Sequence, residues 1–261
     1  MKNEAILLFD VGATWTRYAF LINKKIVSKK IILTIEFTLA DIKKIILESG
    51  RLITVVRIAC AGPVENGKVI MTHANLVFDE RSLSTSLGVK VKLINDLEAA
   101  AFSLREKNKG SLLIGPGTGL GVSIISGKGD VVASEEGHNK IRRESFLNIS
   151  EFNHVNIPDY ETVLSGKYNV LLTLFKKEKV ILTKDKFTEI YLFFLEEFIQ
   201  EMLSKHKDKG LKKIIFFGGV ISGNKKFFSL YSKILKKKFK KEIKIIDDKF
   251  LCLEGAALIN N

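Results

Sequence analysis

Four glycines occur within seven residues of this chain, in the stretch from Gly115 to Gly121. Apolar runs at 112–114 and 122–125 flank the stretch and predict two strands, so the glycines form the turn between them. Glycine permits close backbone approach and positive φ, and consecutive N–H groups with the Thr118 hydroxyl can then converge on a phosphate oxygen. A glycine-rich hairpin without a ligand is the alternative interpretation. The spacing excludes the G-x-G-x-x-G dinucleotide pattern and the G-x-x-x-x-G-K-[ST] phosphate loop.

Three more turns that contain glycine follow predicted strands. They lie at residues 10–14, 61–63 and 218–219. Ligands of open α/β sheets bind beyond the ends of the strands. The sequence therefore predicts that the four turns face one cleft.

The order of predicted elements is similar in the two halves of the chain. Three strands come first, and a helix at 42–47 with Asp41 as its cap follows them. The remaining elements of the first half are strands at 55–59 and 91–94 and a helix at 97–106. The second half contains strands at 112–114, 122–126, 213–217 and 243–246, and helices around 161–175, 187–205 and 226–240. This repeated order predicts two related α/β lobes.

Composition excludes several classes of protein. The chain has 261 residues, of which 46% are hydrophobic, so it can bury a sizeable core in one large domain or two lobes. The two cysteines, Cys60 and Cys252, are far apart and form no C-x-x-C pair, which argues against a disulfide framework and a cysteine zinc site. The first apolar segment, 5–9, is too short for a signal peptide core or a membrane span. A reduced cytoplasm is the predicted compartment.

The formal net charge of +13 is concentrated near the end of the chain. Fifteen lysines and four carboxylates lie between Lys205 and Lys249, an excess of eleven positive charges. Such a segment can steer an anion such as ATP or bind nucleic acid. The solvated face of an amphipathic helix is the favoured interpretation, because aromatic and apolar residues recur at near-helical spacing. These are Phe227, Phe228, Tyr231, Leu235 and Phe239.

Eight segments, in order along almost the whole chain, resemble the bacterial-type glucokinases and the related ROK sugar kinases of the actin-like ATPase superfamily. They are LLFDVGATWTR at 7–17, AGPVENGKVIMT at 61–72, INDLEAAAFS at 94–103, IGPGTGLGVSI at 114–124, SEEGH at 134–138, ETVLSG at 161–166, FFGGVI at 216–221 and EGAA at 254–257. The resemblance implies an α/β fold of the two-lobed, ribonuclease H-like type with a central cleft. Residues 1–107 with 249–261 would form the smaller lobe, and residues 108–248 the larger.

The resemblance also implies which residues contact Mg-ATP. Asp10 would lie near Mg²⁺, through water, which suits a cation that keeps several waters and prefers carboxylate oxygens. Without the resemblance, Asp10 reads as an aspartate that forms a turn. The implied phosphate contacts are Gly12 and Thr14 in the first turn and Gly117, Thr118 and Gly119 in the second. Gly218 and Gly219 would contact the adenosine.

Asp96 is the implied general base, which accepts the proton of the sugar hydroxyl as that oxygen attacks the γ-phosphoryl group. The alternative is that Asp96 only caps the following helix. The implied sugar contacts are Asn95, Asp96, Glu135, His138 and Glu161. Their ordinary interpretations are a surface acidic pair at 135–136, a loop histidine, and a glutamate in the first turn of a helix after Asp159.

The chain departs from the family pattern at several positions. Ala13 and Trp15 stand where the family has Gly and Asn, and alanine disfavours a positive φ in this turn. Glu136 stands where the family usually has Gly. The sugar segment of the family is altered at 72–76, where Asn75 is a candidate substitute, and Lys140–Ile141 replaces a common Asp-Phe. The family's cysteine-rich zinc motif is absent, and the chain is short between Gly166 and Phe217.

The predicted function is ATP-dependent phosphorylation of glucose, or of a broader set of hexoses, at the 6-hydroxyl, with ATP and Mg²⁺ and without structural zinc. A kinase for N-acetylmannosamine, N-acetylglucosamine or fructose is an alternative, and so is a sensor that binds sugar or ATP without turnover. Sugar and ATP are the expected partners, with neither membrane nor nucleic acid, and a homodimer is the assembly that the resemblance allows. A sugar-responsive repressor would need a helix-turn-helix module before Asp10, where the sequence leaves no room for one.

Overall fold

The computed structural model describes residues 3–71, 74–134, 136–141, 157–166, 173, 176–177 and 183–259. The chain divides into two compact units. Unit 1 consists of residues 1–107 together with 249–261, and unit 2 consists of residues 108–248. No helix within the described ranges is long and apolar enough to cross a bilayer.

The strands of unit 1 are β1 (Glu4–Val11), β2 (Trp15–Ile22), β3 (Lys25–Leu33), β4 (Leu52–Cys60), β5 (Lys68–Met71), β6 (Leu76–Asp79) and β7 (Lys90–Asn95). Five of them form a sheet with the order β3-β2-β1-β4-β7. The first three are antiparallel to one another, whereas β1, β4 and β7 are parallel. Val11 pairs with Cys60, and Cys60 pairs with Asn95. The carboxyl ends of the three parallel strands therefore lie at one edge of the sheet.

Successive side chains of these strands point to opposite faces of the sheet, and apolar side chains on both faces give each face its own core. Leu7, Phe9 and Ile58 contribute to one cluster, and Leu8 and Ala59 to the other. The helices of the unit span Leu39–Glu48, Glu80–Leu87, Asp96–Leu104 and Leu251–Ala256. Because both faces carry buried side chains, β1 and β4 are apolar over most of their length.

The helix Leu251–Ala256 returns to unit 1 from the far end of the chain and packs tightly. A Cβ on Gly255 would lie 1.6 Å from the Ala99 carbonyl oxygen, so only glycine permits this approach to the helix Asp96–Leu104. The buried Arg57 donates from Nη1 to the carbonyl oxygen of Ala257 at 2.8 Å. Backbone contact and side-chain hydrogen bonding together fix this helix beneath the sheet.

Unit 2 repeats the same sheet topology. Its strands are β8 (Ser111–Pro116), β9 (Leu120–Ile125), β10 (Val131–Ser134), β11 (Lys213–Phe216) and β12 (Glu242–Ile245). The order is β10-β9-β8-β11-β12, with an antiparallel meander followed by parallel β8, β11 and β12. Both sheets therefore have the same strand order and the same strand directions. Two related α/β units are what the repeated element order predicted.

Two long helices cover the sheet of unit 2. The helix Lys184–Lys205 buries an apolar face that includes Phe194 and Phe198. The helix Lys225–Phe239 buries Phe228, Tyr231 and Leu235 and leaves its lysines exposed, which confirms the amphipathic pattern of the sequence. Shorter helices span Tyr160–Leu164 and Gly219–Gly223.

Several details of the predicted elements were wrong. Thr38, not Asp41, is the N-cap of the first helix, and Asp41 completes a capping box with it. Asn95, not Asp96, caps the helix Asp96–Leu104. A helix was expected around 161–175, and the observed one spans Tyr160–Leu164. Most of residues 167–175 lie outside the described residues. The strands β5 and β6 were not anticipated, because such four-residue strands carry little periodic signal.

Candidate functional site

Asp10 lies inside β1, near the edge where the parallel strands end, and not in a turn as its flanking residues suggested. It pairs with Arg17 of β2 across the sheet, and Arg17 Nη1 donates to Asp10 Oδ2 at 3.0 Å. The Asp10 side chain is only 5% exposed. Burial raises the pKa of this carboxyl from its ordinary 3.8 to about 6, although the charge and hydrogen bond of Arg17 act in the opposite direction.

The first glycine turn, between Asp10 and β2, is held by hydrogen bonds to Thr34. The Thr34 hydroxyl donates to the Gly12 carbonyl oxygen at 2.7 Å, and the Thr34 amide donates to the carbonyl oxygen of Thr14 at 2.9 Å. Neither Gly12 nor Ala13 has a positive φ. Alanine at position 13 therefore does not meet the steric penalty of a positive φ.

Asn95 and Asp96 stand at the end of β7, at the same edge. The Asn95 amide oxygen accepts from the backbone amides of Leu97 and Glu98, and Asn95 Nδ2 donates to the Gly62 carbonyl oxygen at 2.9 Å. Asp96 is the half-buried first residue of the helix, with Oδ1 accepting from the Leu97 amide at 2.8 Å. A carboxylate in the first turn is stabilised by the helix dipole.

The carboxylates of Asp10 and Asp96 both act on the thiol of Cys60. Cys60, at the end of β4 between them, is buried, and the pKa of its thiol is raised by burial and further by the carboxylates of Asp96 and Asp10. The edge of unit 1 therefore brings together the proposed metal contact, the proposed base and the amide of Asn95. Among the described residues no group of three or more His, Cys, Asp or Glu could hold a metal ion. Asp10 fits a cation that takes most of its oxygens from phosphates and water.

The glycine stretch from 115 to 121 is a hairpin in unit 2. β8 and β9 pair as far as Pro116 and Leu120, which leaves residues 117–119 as the turn, with Thr118 exposed at its tip. Gly117 and Gly119 do not have positive φ, so the expected left-handed conformation is absent at these two positions. Glycine is favoured at position 119 for a different reason, because a Cβ there would lie 2.8 Å from Glu161 Oε2.

Glu161 links this hairpin to His138. It is buried in the first turn of the helix Tyr160–Leu164, which Asp159 caps. Glu161 Oε2 accepts from the Leu120 amide at 3.0 Å and lies 3.7 Å from Nε2 of the half-exposed His138. The geometry thus places two of the predicted sugar contacts beside each other, next to the predicted phosphate turn.

Two further glycines touch the backbone of the hairpin. Gly218 follows β11 with a φ of +101°, and a Cβ on it would lie 2.9 Å from the Pro116 carbonyl oxygen. The Gly166 amide donates to the Gly117 carbonyl oxygen at 2.6 Å, where a Cβ would approach to 2.9 Å. Gly219, the other predicted adenosine contact, begins the helix Gly219–Gly223.

Glu136 is a residue that the sequence interpretation placed wrongly. It is buried and not part of a surface acidic pair, with Oε1 lying 2.6 Å from Lys205 Nζ and 2.9 Å from His206 Nε2. Burial alone would raise the pKa of this carboxyl, but hydrogen bonds from Lys205, Ser134 and His206 outweigh it and hold the pKa below its ordinary value. Lys205 and His206 follow Glu136 by 69 and 70 positions, and no pattern in the sequence indicates contacts over such a separation.

Two of the predicted sugar-binding features lie wholly or partly outside the described residues. Glu135 is one, and the altered sugar segment, with Thr72 and His73, is the other. Asn75 is described and has a φ of +50° in the turn that precedes β6. Asparagine tolerates this left-handed conformation better than most residues. The role of Glu135 in binding sugar stays a prediction.

The sequence model of the glucokinase family matches residues 7–186. A glucokinase of Agrobacterium fabrum (strain C58) is 31% identical over 139 residues, which cover 45% of this chain and 41% of the relative. The chain therefore aligns with only about two fifths of the length of this curated relative.

Two solved structures share the fold over nearly the whole chain. A glucokinase from Balamuthia mandrillaris, solved in complex with glucose, superposes with a TM-score of 0.72 at 17% identity, covering 97% of this chain and 92% of that one. A putative N-acetylmannosamine kinase from Listeria monocytogenes gives 0.70 at 16% identity, with 97% of each chain covered. At such low identities, the TM-scores show a common fold, which is of the actin-like ATPase type. The family match over more than half of the sequence shows more, namely that this chain belongs to the glucokinase family.

Proposed function

We propose that this protein transfers the γ-phosphoryl group of ATP to the 6-hydroxyl of glucose or of a broader set of hexoses. The observation that carries the proposal is the position of Asp96. Its carboxylate stands at the end of a parallel strand and in the first turn of a helix, beside Asn95 and near Asp10, in a chain of the glucokinase family. Sites beyond the carboxyl ends of parallel strands bind ligands in open α/β sheets.

Asp96 acts in this proposal as the general base. The sugar hydroxyl gives its proton to an Asp96 carboxylate oxygen while the hydroxyl oxygen forms a bond to the γ-phosphorus and the bond to the leaving ADP oxygen breaks. The helix dipole favours the ionised carboxylate before transfer. Asn95, Glu135, His138 and Glu161 orient the sugar, because acceptor side chains discriminate between arrangements of hydroxyl groups.

The two glycine turns bind the phosphates in this proposal. Backbone N–H groups and hydroxyls of Gly12, Thr14 and residues 117–119 donate to phosphate oxygens, and Gly218 with Gly219 contacts the adenosine. Asp10 would hold Mg²⁺ through water, and Mg²⁺ when bound neutralises charge on the phosphates. The single cleft expected from the four turns stays a prediction.

A coupled assay of ADP formation with glucose, ATP and Mg²⁺ tests the proposal. Asp96→Asn keeps the size of the side chain but removes the base, so we expect kcat to fall about 10²–10⁴-fold. Asp79→Asn is the matched control, since Asp79 caps the helix Glu80–Leu87 through the Ser82 amide and asparagine caps equally well. Turnover by Asp96→Asn within threefold of the wild type would show that Asp96 is not the base.

A kinase for another sugar is the second candidate. The altered segment at 72–76 and the structural likeness to a putative N-acetylmannosamine kinase favour it. A panel of glucose, fructose, N-acetylglucosamine and N-acetylmannosamine at equal concentration decides between the two by kcat/KM. Binding of sugar or ATP in calorimetry without any turnover would instead identify a sensor.

A further inference from the structure

The turn at residues 136–139, here called the His138 turn, is fixed from two sides within unit 2. Its inward-facing residues contact the end of the helix Lys184–Lys205, where Glu136 meets Lys205 and His206 and Asn139 Nδ2 donates to Glu201 Oε1 at 2.9 Å. His138 itself points outward, with 57% of its side chain exposed. The turn therefore presents one side chain to solvent while its neighbours are held.

Gly137 joins the His138 turn to the phosphate hairpin. A Cβ on Gly137 would lie 2.0 Å from the Leu120 carbonyl oxygen, so the two backbones are in direct contact. The Leu120 amide is the group that Glu161 accepts from, and Glu161 is the neighbour of His138. A shift of the His138 turn would therefore move His138 relative to both Glu161 and the hairpin.

Two side chains at the end of the helix Lys184–Lys205 contact the Glu136 carboxylate. The carboxylate is buried at the carboxyl end of a helix, where the dipole disfavours negative charge. Within the described part of the chain Oε2 has no hydrogen-bond partner, so Lys205 and His206 both contact Oε1. Hydrogen bonds to a carboxylate have a narrow geometry, so these contacts fix the position of Glu136 relative to the helix end.

We propose that Glu136, with Lys205 and His206, positions the His138 turn, and so sets the affinity of the site for sugar. The inference rests on the proposed function. Glu136 is a positioning residue and not a catalytic one, since its carboxylate faces the helix end. Loss of the cluster should weaken sugar binding through His138 and Glu161 while the chemistry at Asp96 remains.

Kinetics of three variants test the inference. We expect Glu136→Gln and Lys205→Met to raise the KM for sugar at least fivefold, with kcat and the KM for ATP within twofold of the wild type. Lys205→Arg keeps the cation and should restore the KM. Lys209→Met is the control, because Lys209 forms an exposed pair with Asp208. An unchanged KM for sugar in both cluster variants would overturn the proposal.

A second measurement does not depend on kinase activity. The ring signal of His138 in NMR spectra, assigned with His138→Gln, should shift in Glu136→Gln and stay in place in Lys209→Met. Thermal unfolding of each variant checks that the fold is retained. A wild type without turnover on any sugar would refute the proposed function, and the His138 signal alone would then decide on the positioning role. An unshifted signal in Glu136→Gln would refute that role.

Discussion

The two glycine turns at the ends of β1 and β8 are held in place by different means. Side chains hold the first, through the Arg17–Asp10 ion pair and the Thr34 hydroxyl. Backbone contacts hold the second, where glycines 137, 166 and 218 each lie against a carbonyl oxygen of residues 116–120. Hydrogen bonds hold both turns, and the second depends in addition on the absence of Cβ atoms from these three glycines.

This difference explains where the sequence tolerates change. The first turn contains Ala13 and an exposed Trp15 in place of the family's residues, and its hydrogen bonds remain intact. A side-chain contact can be remade with another rotamer, whereas two backbones in contact cannot make room for a methyl group. We therefore expect substitutions in the first turn to lower the free energy of unfolding by small amounts. Around the second turn, an added Cβ should lower it sharply.

Gly137→Ala should have the largest effect. The new Cβ would lie 2.0 Å from the Leu120 carbonyl oxygen, so the backbone must move, and we expect a loss of at least about 3 kcal/mol in the free energy of unfolding. Gly12→Ala is the matched change in the first turn, where the contact to the Trp15 carbonyl oxygen is 3.2 Å. Urea unfolding of both variants checks the difference, and equal losses would contradict the comparison.

Burial of the Asp10 carboxyl should make unit 1 less stable as the pH rises. Because burial raises the pKa of Asp10 to about 6, the native state keeps a proton that the unfolded state releases near pH 3.8. The free energy of unfolding should therefore fall between about pH 4 and 6, by at most about 3 kcal/mol.

Fluorescence of Trp15, the single tryptophan of the chain, reports on unit 1 during urea unfolding at each pH. Asp10→Asn cannot titrate at this position, so its curve should lack this fall. A wild-type free energy that is constant or rises over the same interval would show that Asp10 does not titrate in this way.

Gly119→Ala should have a smaller effect on stability than Gly137→Ala. Its Cβ would meet a carboxylate oxygen of Glu161 at 2.8 Å, and a side chain can move aside at a cost of about 2 kcal/mol. Displacement of Glu161 from the Leu120 amide should also raise the KM for sugar. Gly117→Ala is the control, since nothing lies within 4 Å of its added Cβ. Similar kinetics and stability for the two variants would refute the steric explanation.

Thr34→Val should have the smallest effect. It removes the hydroxyl that donates to the Gly12 carbonyl oxygen and that lies 3.0 Å from the Thr16 hydroxyl, so we expect a loss of about 1 kcal/mol. Thr85→Val, at an exposed hydroxyl bonded within its own helix, serves as the reference. A larger loss in the free energy of unfolding for Thr34→Val than for Gly137→Ala would contradict the comparison of the two turns.

The sequence predicted those features that depend on neighbouring residues. The hairpin at 115–121 follows from glycines between two apolar runs, and the lysine-rich helix follows from the spacing of its aromatic residues. The carboxylates were harder to place. Asp10 looked like a turn residue because its partner, Arg17, lies on the next strand.

Glu136 was missed for a similar reason. Two adjacent glutamates ordinarily indicate solvent, and only the folded chain brings Lys205 and His206 to one of them. Glu161 was expected in the first turn of a helix, which is confirmed, but its contact with the Leu120 amide depends on packing between distant segments. Long-range pairing of charged groups leaves no periodic trace in a sequence.

The return of helix Leu251–Ala256 to unit 1 has a consequence for synthesis on the ribosome. The segment 108–248 is contiguous and can begin to fold as soon as β12 emerges. Unit 1 must wait for Leu253 and Ala256, which complete the core beside Leu8 and Ala59. We therefore expect a chain that ends at Asp248 and is released from the ribosome to protect the described strands of unit 2 from proteolysis, while β1 and β4 remain accessible to proteases or chaperones.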